Sequence, residues 1–298
     1  MIPVFILGVS PRSGTNYLYE LLTLHPDCVK SRHNGEDFII YNAPKYLDFL
    51  RSVTGKWAPE WKNDPQVFRK CLESGILSYV SPESASGRYV IMKTPHPNHA
   101  ERFFEMFSNG YLVLLVRCGQ DIAESFSKSF NYRFDDAVRA FSYGAREIAS
   151  LTGNDQLMKS GRVTLIRYED LFTRNRETMS ALLDFLKLDP NRFDFDKSEN
   201  FDVIGSSQHK EKQGKVQWDP VKKNTSFNPL KRYAGWSRWK HYRFNWMAGA
   251  SSRKFGYPLE FEGDTVLYYL FNILVVPYDF IYRILRKLTG GRKAGWLK

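Results

Sequence analysis

Apolar residues along this chain gather in short unbroken runs rather than in strict alternation. Residues 2–9, 89–92 and 163–166 are strand-like, and residues 111–116 are one continuous apolar run. The length and composition of that run suit a strand buried on both faces of a parallel sheet. Residues 17–24 read as a helix that His25-Pro26 ends, and Asp121 stands where it could cap a helix after residues 111–116. Strands alternating with helices predict an α/β fold: a three-layer, P-loop-like parallel sheet flanked by helices. Residues 1–260 are expected to form that domain and residues 261–298 a helical tail, first apolar and then basic.

At 298 residues and 43% hydrophobic content the chain can bury one sizeable core, although two small domains would also fit. The three cysteines, Cys28, Cys71 and Cys118, show neither a disulfide framework nor a Cys-x-x-Cys metal knuckle. Met1-Ile2-Pro3 enters the first strand with no basic, apolar leader, so a cytoplasmic location is expected. The net charge of +11 points to anionic partners, but six Lys or Arg against a lone Asp279 lie within residues 265–298. The remaining excess suits an anionic nucleotide pocket. Zinc-finger, basic-helix and RNA-motif signatures are absent, so no nucleic-acid partner is expected.

Ser10-Pro11-Arg12-Ser13-Gly14-Thr15-Asn16 joins the first run to its helix. Small residues there let successive backbone N–H groups converge at a helix N-terminus, where the macrodipole also favours an anion. A Walker A loop carries Lys directly after its second Gly, whereas Thr15 follows Gly14 here and the only cation, Arg12, precedes it. The run at 111–116 ends at Arg117 rather than at a metal-holding Asp, and Ser125 follows within reach of the same anion. Two cradles at carboxyl ends of parallel strands imply a ligand with phosphates at two places and no metal.

On these residues the chain resembles the sulfotransferases that use 3′-phosphoadenosine 5′-phosphosulfate (PAPS), in the Pro-Arg-Ser-Gly-Thr branch that includes bacterial carbohydrate and lipid sulfotransferases. Pro11-Arg12-Ser13-Gly14-Thr15 is similar to the family's 5′-phosphosulfate loop, with Asn16 standing where Thr is frequent. Arg117 and Ser125 have the spacing of its 3′-phosphate motif. Arg167-Tyr168-Glu169-Asp170-Leu171 looks like its Tyr-Glu-Asp segment, whose Tyr lies near the adenine. Gly235-Trp236-Ser237-Arg238-Trp239-Lys240 resembles the closing basic-tryptophan motif, which brings in Arg238 and Lys240. The resemblance covers roughly residues 2–258. It implies metal-independent, in-line sulfuryl transfer from PAPS to an acceptor hydroxyl on a sugar, glycolipid or small molecule, leaving adenosine 3′,5′-bisphosphate (PAP). Lys93 would neutralise the bridging oxygen.

The acceptor hydroxyl needs a base. Family branches with this fingerprint place a catalytic Glu where Glu36 stands, with Asp37 and His33 as neighbours that could substitute. The rival is His96, because Lys93-Thr94-Pro95-His96 is similar to the Lys-Thr-His of the small-molecule branch apart from the intervening Pro95. Tyr41, Tyr46, Phe49, Trp57 and Trp61 could shape an acceptor pocket, and the Lys-rich residues 208–232 a flap. A P-loop kinase is the alternative reading, against which the missing loop Lys and metal carboxylate weigh.

The tail, residues 266–282, is apolar and aromatic but interrupted by Asn272, Pro277 and Asp279, short of a bilayer span. With Arg283, Arg286, Lys287, Arg292 and Lys293 following, it suits peripheral contact with an anionic lipid surface, packing on its own domain, or a homodimer interface.

Overall fold

The structure, a computed structural model, describes residues 1–32, 36–55, 64–83, 86–130, 132–203 and 228–288. Strand β1 (Ile2–Gly8) runs into helix α1 (Thr15–Leu22), followed by β2 (Cys28–Lys30) and by helices α2 (Ala43–Thr54) and α3 (Pro65–Val80). Next come β3 (Tyr89–Thr94), the single turn α4 (Phe103–Met106) and β4 (Tyr111–Val116). Helices α5 (Gly119–Phe130), α6 (Phe134–Thr152) and α7 (Asp155–Lys159) precede β5 (Val163–Arg167). The remaining helices are α8 (Tyr168–Thr173), α9 (Asn175–Phe185), α10 (Phe195–Glu199), α11 (Arg238–Lys254) and α12 (Thr265–Leu288).

The five strands form one parallel sheet in the order β2-β3-β1-β4-β5. Parallel pairing requires crossovers, and these lay helices on both faces. Alternate residues of β1 divide between two layers. Phe5 and Leu7 join Phe103, Phe141 and Phe244 on one face, while Val4 and Ile6 join Leu18, Leu21 and Leu183 on the other. Each such side chain contributes about 1.5–3 kcal/mol by leaving water, which is why the strands read as unbroken apolar runs.

Register places the working ends together. Leu7 pairs with Thr94 on one side and Leu114 on the other, and Val116 pairs with Arg167. The segments that follow β1, β3, β4 and β5 therefore emerge at one carboxyl edge, where open α/β sheets bind ligands.

The tail folds as one helix despite Pro277. Its inner side packs on α11, where Asn272 is fully buried and donates to Tyr242 O at 3.3 Å. Among the described residues, no helix is long and apolar enough to cross a membrane.

Candidate active site

The loop after β1 owes its shape to two close approaches. A Cβ on Gly8 would stand 2.2 Å from Ser13 Oγ and 2.8 Å from Thr15 Cγ2, so only glycine lets residues 13–15 fold back over the strand end. Gly14 has φ 98°, and a Cβ there would sit 2.4 Å from Tyr168 Cδ2. Ser13 Oγ donates to Ser10 O at 2.7 Å, closing the turn. Arg12 also holds a positive φ of 79°, a conformation costing a non-glycine residue about 1–3 kcal/mol and concentrated at ligand-binding loops. Helix α1 starts from Gly14 with no side-chain cap, so its first-turn amides have no capping side chain, the arrangement that suits an anion at a helix N-terminus.

Three guanidinium groups converge beside this loop. Arg117, just past β4, donates from Nη1 to Arg12 O at 2.8 Å and from Nη2 to Pro229 O at 2.5 Å, and lies 4.4 Å over the Tyr168 ring. Arg12 Nε donates to Ser125 Oγ at 3.1 Å, and Arg232 Nη1 donates to the same oxygen at 2.8 Å. Burial and the charges of Arg232 and Arg117 push the Arg12 guanidinium down to about 9. Burial, then Arg117, lowers Arg232 as well. Arg117 Nε is buried without a hydrogen-bond partner among the described residues. Holding like charges this close is unfavourable unless an anion joins them.

Arg232 is the residue that motif spacing missed. Asp121, expected as a helix cap, lies inside α5, and its carboxylate instead accepts the backbone N–H groups of Lys231 at 3.1 Å and of Arg232. A cap must precede its helix, and α5 already begins at Gly119. Burial raises the Asp121 carboxyl, against the pull of Arg117 and the two N–H donors. Glu169 braces the same edge, accepting from Cys118 N at 2.8 Å and from Tyr257 Oη at 2.7 Å. Tyr168 is buried between Gly14 and Arg117, so the Tyr-Glu-Asp segment forms the back wall of the cradle.

A second group of residues gathers at the end of β3. Lys93, 2% exposed, reaches Glu36 Oε1 at 3.4 Å and lies 5.6 Å over the Tyr19 ring. Burial raises the Glu36 carboxyl and Lys93 opposes it; Glu36 Oε2 is buried without a partner among the described residues. Asp37 accepts from Lys93 N at 3.1 Å and Ser31 Oγ at 3.2 Å, a structural tie rather than a free base. His96 stacks on Phe38 at 6.1 Å, and burial pushes its imidazole down to about 4. His33, Trp57, Trp61 and residues 208–227 lie outside the described residues.

Glu36 opens onto a cavity of about 570 Å³ lined mainly by apolar groups, among them Phe38, Ile39, Tyr46, Ile76, Val80 and Met106. Arg238 and Lys240 are both in ion pairs: Arg238 with Asp264 at 3.5 Å and Lys240 with Glu124 at 2.6 Å. Among the described residues, no cluster of three or more His, Cys, Asp or Glu could hold a metal ion.

A family model described as "Sulfotransferase family" matches residues 3–192. No curated protein matches the sequence significantly. Among solved structures, the sulfotransferase domain from the Synechococcus PCC 7002 olefin synthase is similar at 18% identity with a TM-score of 0.55, covering 86% of this chain and 95% of that one. The sulfotransferase domain from the curacin biosynthetic pathway gives 20% identity and a TM-score of 0.45 over 72% of this chain and 83% of its own. A mouse sulfotransferase complexed with PAP gives 14% and 0.38 over 63% and 60%.

Proposed function

The chain belongs to the sulfotransferase family, and on that premise we propose that it moves a sulfuryl group from PAPS to the hydroxyl of an acceptor with an apolar body, such as a lipid-linked alcohol. The observation that carries this reading is the meeting of three guanidinium groups beside the Gly14 loop: Arg12 and Arg232 both donate to Ser125 Oγ, and Arg117 donates to Arg12 O. Such a cluster fits a ligand with negative groups at two places. PAPS supplies an activated sulfuryl group on a phosphate leaving group.

Arg117, Ser125 and Arg232 are assigned to the 3′-phosphate, and Arg12 with residues 13–16 to the 5′ side. The hydrogen bond from Arg12 to Ser125 makes the two positions neighbours. Glu36 is the base: its raised carboxyl is a stronger proton acceptor than an exposed glutamate, and the unpartnered Oε2 is available to a hydroxyl. His96, held neutral well below physiological pH, is the weaker base. Lys93 places a full positive charge beside Glu36, at the position where charge on a departing oxygen needs compensation. The acceptor O–H proton passes to Glu36 as the new O–S bond forms and the S–O bond to the donor breaks. The apolar cavity next to Glu36 supports an apolar acceptor body.

The reading is tested by titrating the protein with PAP in EDTA and by following transfer of labelled sulfate from PAPS to long-chain alcohols and to free sugars. Binding in EDTA with transfer to the alcohols is the expected result. Binding that needs Mg²⁺ would favour a metal-dependent phosphotransferase, and transfer to free sugars alone would overturn the acceptor class.

A further inference from the structure

The sulfuryl-transfer reading leaves the longest helix of the described chain without a task. Among its described side chains, helix α12 meets the domain along one side. Trp239, Tyr242 and Trp246 of α11 contact Tyr268, Tyr269 and Phe271 at ring distances of 5.2–6.4 Å. The opposite side is apolar and open: Val266 is 72% exposed, Leu270 55%, Ile273 60%, Leu274 76%, Phe280 58% and Ile281 56%. From residue 266 to residue 278 the helix carries no charged side chain. An apolar strip this long is more than scattered surface hydrophobicity, and something covers it.

We propose that α12 docks the protein flat on an anionic lipid surface, its open side in the acyl boundary and the domain above it. Three observations favour lipid over a second copy of the chain. First, six Lys or Arg and no acid fall within residues 283–298, complementary to anionic headgroups and repulsive towards their own copies across a two-fold axis. Second, Trp239 and Trp246, 49% and 40% exposed, flank the helix, and half-buried tryptophans are the side chains that settle at headgroup level. Third, Val266, Leu270, Ile273, Pro277, Phe280 and Ile284 follow a heptad-like spacing, but Pro277 sits in that row and no charged pair flanks its first three turns. A helix–helix seam would lack both its straightness and its register signals. A lipid surface requires neither.

Co-sedimentation of the full-length protein with phosphatidylcholine vesicles, alone or containing phosphatidylglycerol, tests the assignment. Binding is expected to be strong on the anionic vesicles, weak on the neutral ones and reduced by high salt. The double variant Leu270→Glu/Ile273→Glu, at exposed positions, should lose at least about tenfold in vesicle binding while PAP affinity stays at the wild-type value. Unchanged sedimentation of the variant, or none by the wild type, overturns the proposal. So does light scattering that shows a wild-type dimer which the variant converts to monomer, since the face then belongs to a second copy. PAP binding reports on the donor site separately, so failure of one reading leaves the other standing.

Discussion

Arg232 enters the site through its backbone, held by Asp121 from 111 residues away in the chain. Its guanidinium then shares Ser125 Oγ with Arg12. Removing it takes away a charge-assisted contact to a phosphate, so Arg232→Ala should weaken PAP binding by about 10- to 100-fold. Arg117→Ala should do at least as much, since it also strips the cover from Tyr168; calorimetric titration reads both. Glu36→Gln should spare PAP affinity while lowering turnover by about 10²–10⁴-fold. The pH dependence has a definite sign: the base must be ionised, so kcat/KM falls as pH drops through a Glu36 pKa that burial holds above the ordinary carboxylate value. That acid limb should vanish in Glu36→Gln, whereas a limb near pH 4 surviving in the variant would assign the base to His96. That Arg12, Arg117 and Ser125 come together was legible because motif spacing carries them. Arg232 was not, because in sequence it is one cation in a Lys-rich stretch and only a buried carboxylate on another helix selects it.

The strand–loop–helix unit around Gly14 works as one element. The positive φ of Gly14 and the Tyr168 ring lying where a Cβ would stand mean that Gly14→Ala pays twice, once in backbone strain of about 1–3 kcal/mol and again in displacement of that ring. The variant should melt lower and lose PAP binding. Adding Tyr168→Ala relieves the ring clash but not the strain, so the double variant should recover little of either; full recovery would mean that crowding alone fixes the loop. At this scale β1, β3 and β4 were readable because both faces of each are buried, which leaves no polar alternation, and β5, on the sheet edge with Leu165 exposed, was readable from its short β-branched and aliphatic run. β2 was not: three residues on the sheet edge, two of them only half-buried, make no run. The reading of Asp121 as a cap failed for a related reason. Sequence places an acid near a helix start but cannot show which backbone N–H groups, local or distant, reach it first.

Across the whole molecule, the donor cradle draws on positions far apart in the chain. Arg12 follows β1, Arg117 precedes α5 and Ser125 lies within it, and Arg232 stands before α11. No partly unfolded form can keep all four together, so a ligand that needs them binds the native state alone and raises its stability by mass action. At a concentration of 100 times its dissociation constant, PAP should add about 2.7 kcal/mol. For a chain of this size that corresponds to a rise of roughly 4–5 °C in melting temperature. The rise should be the same in EDTA, since the groups proposed to meet the anion are guanidinium and amide. It should shrink as ionic strength increases and small anions compete for the same cations. Arg232→Ala should reduce the shift without lowering the unliganded melting point greatly, because what it removes from the free protein is a crowded like charge as much as a contact. A melting point insensitive to PAP at saturating concentration, in a protein that circular dichroism shows to be folded, would mean that these cations are gathered for some other anion.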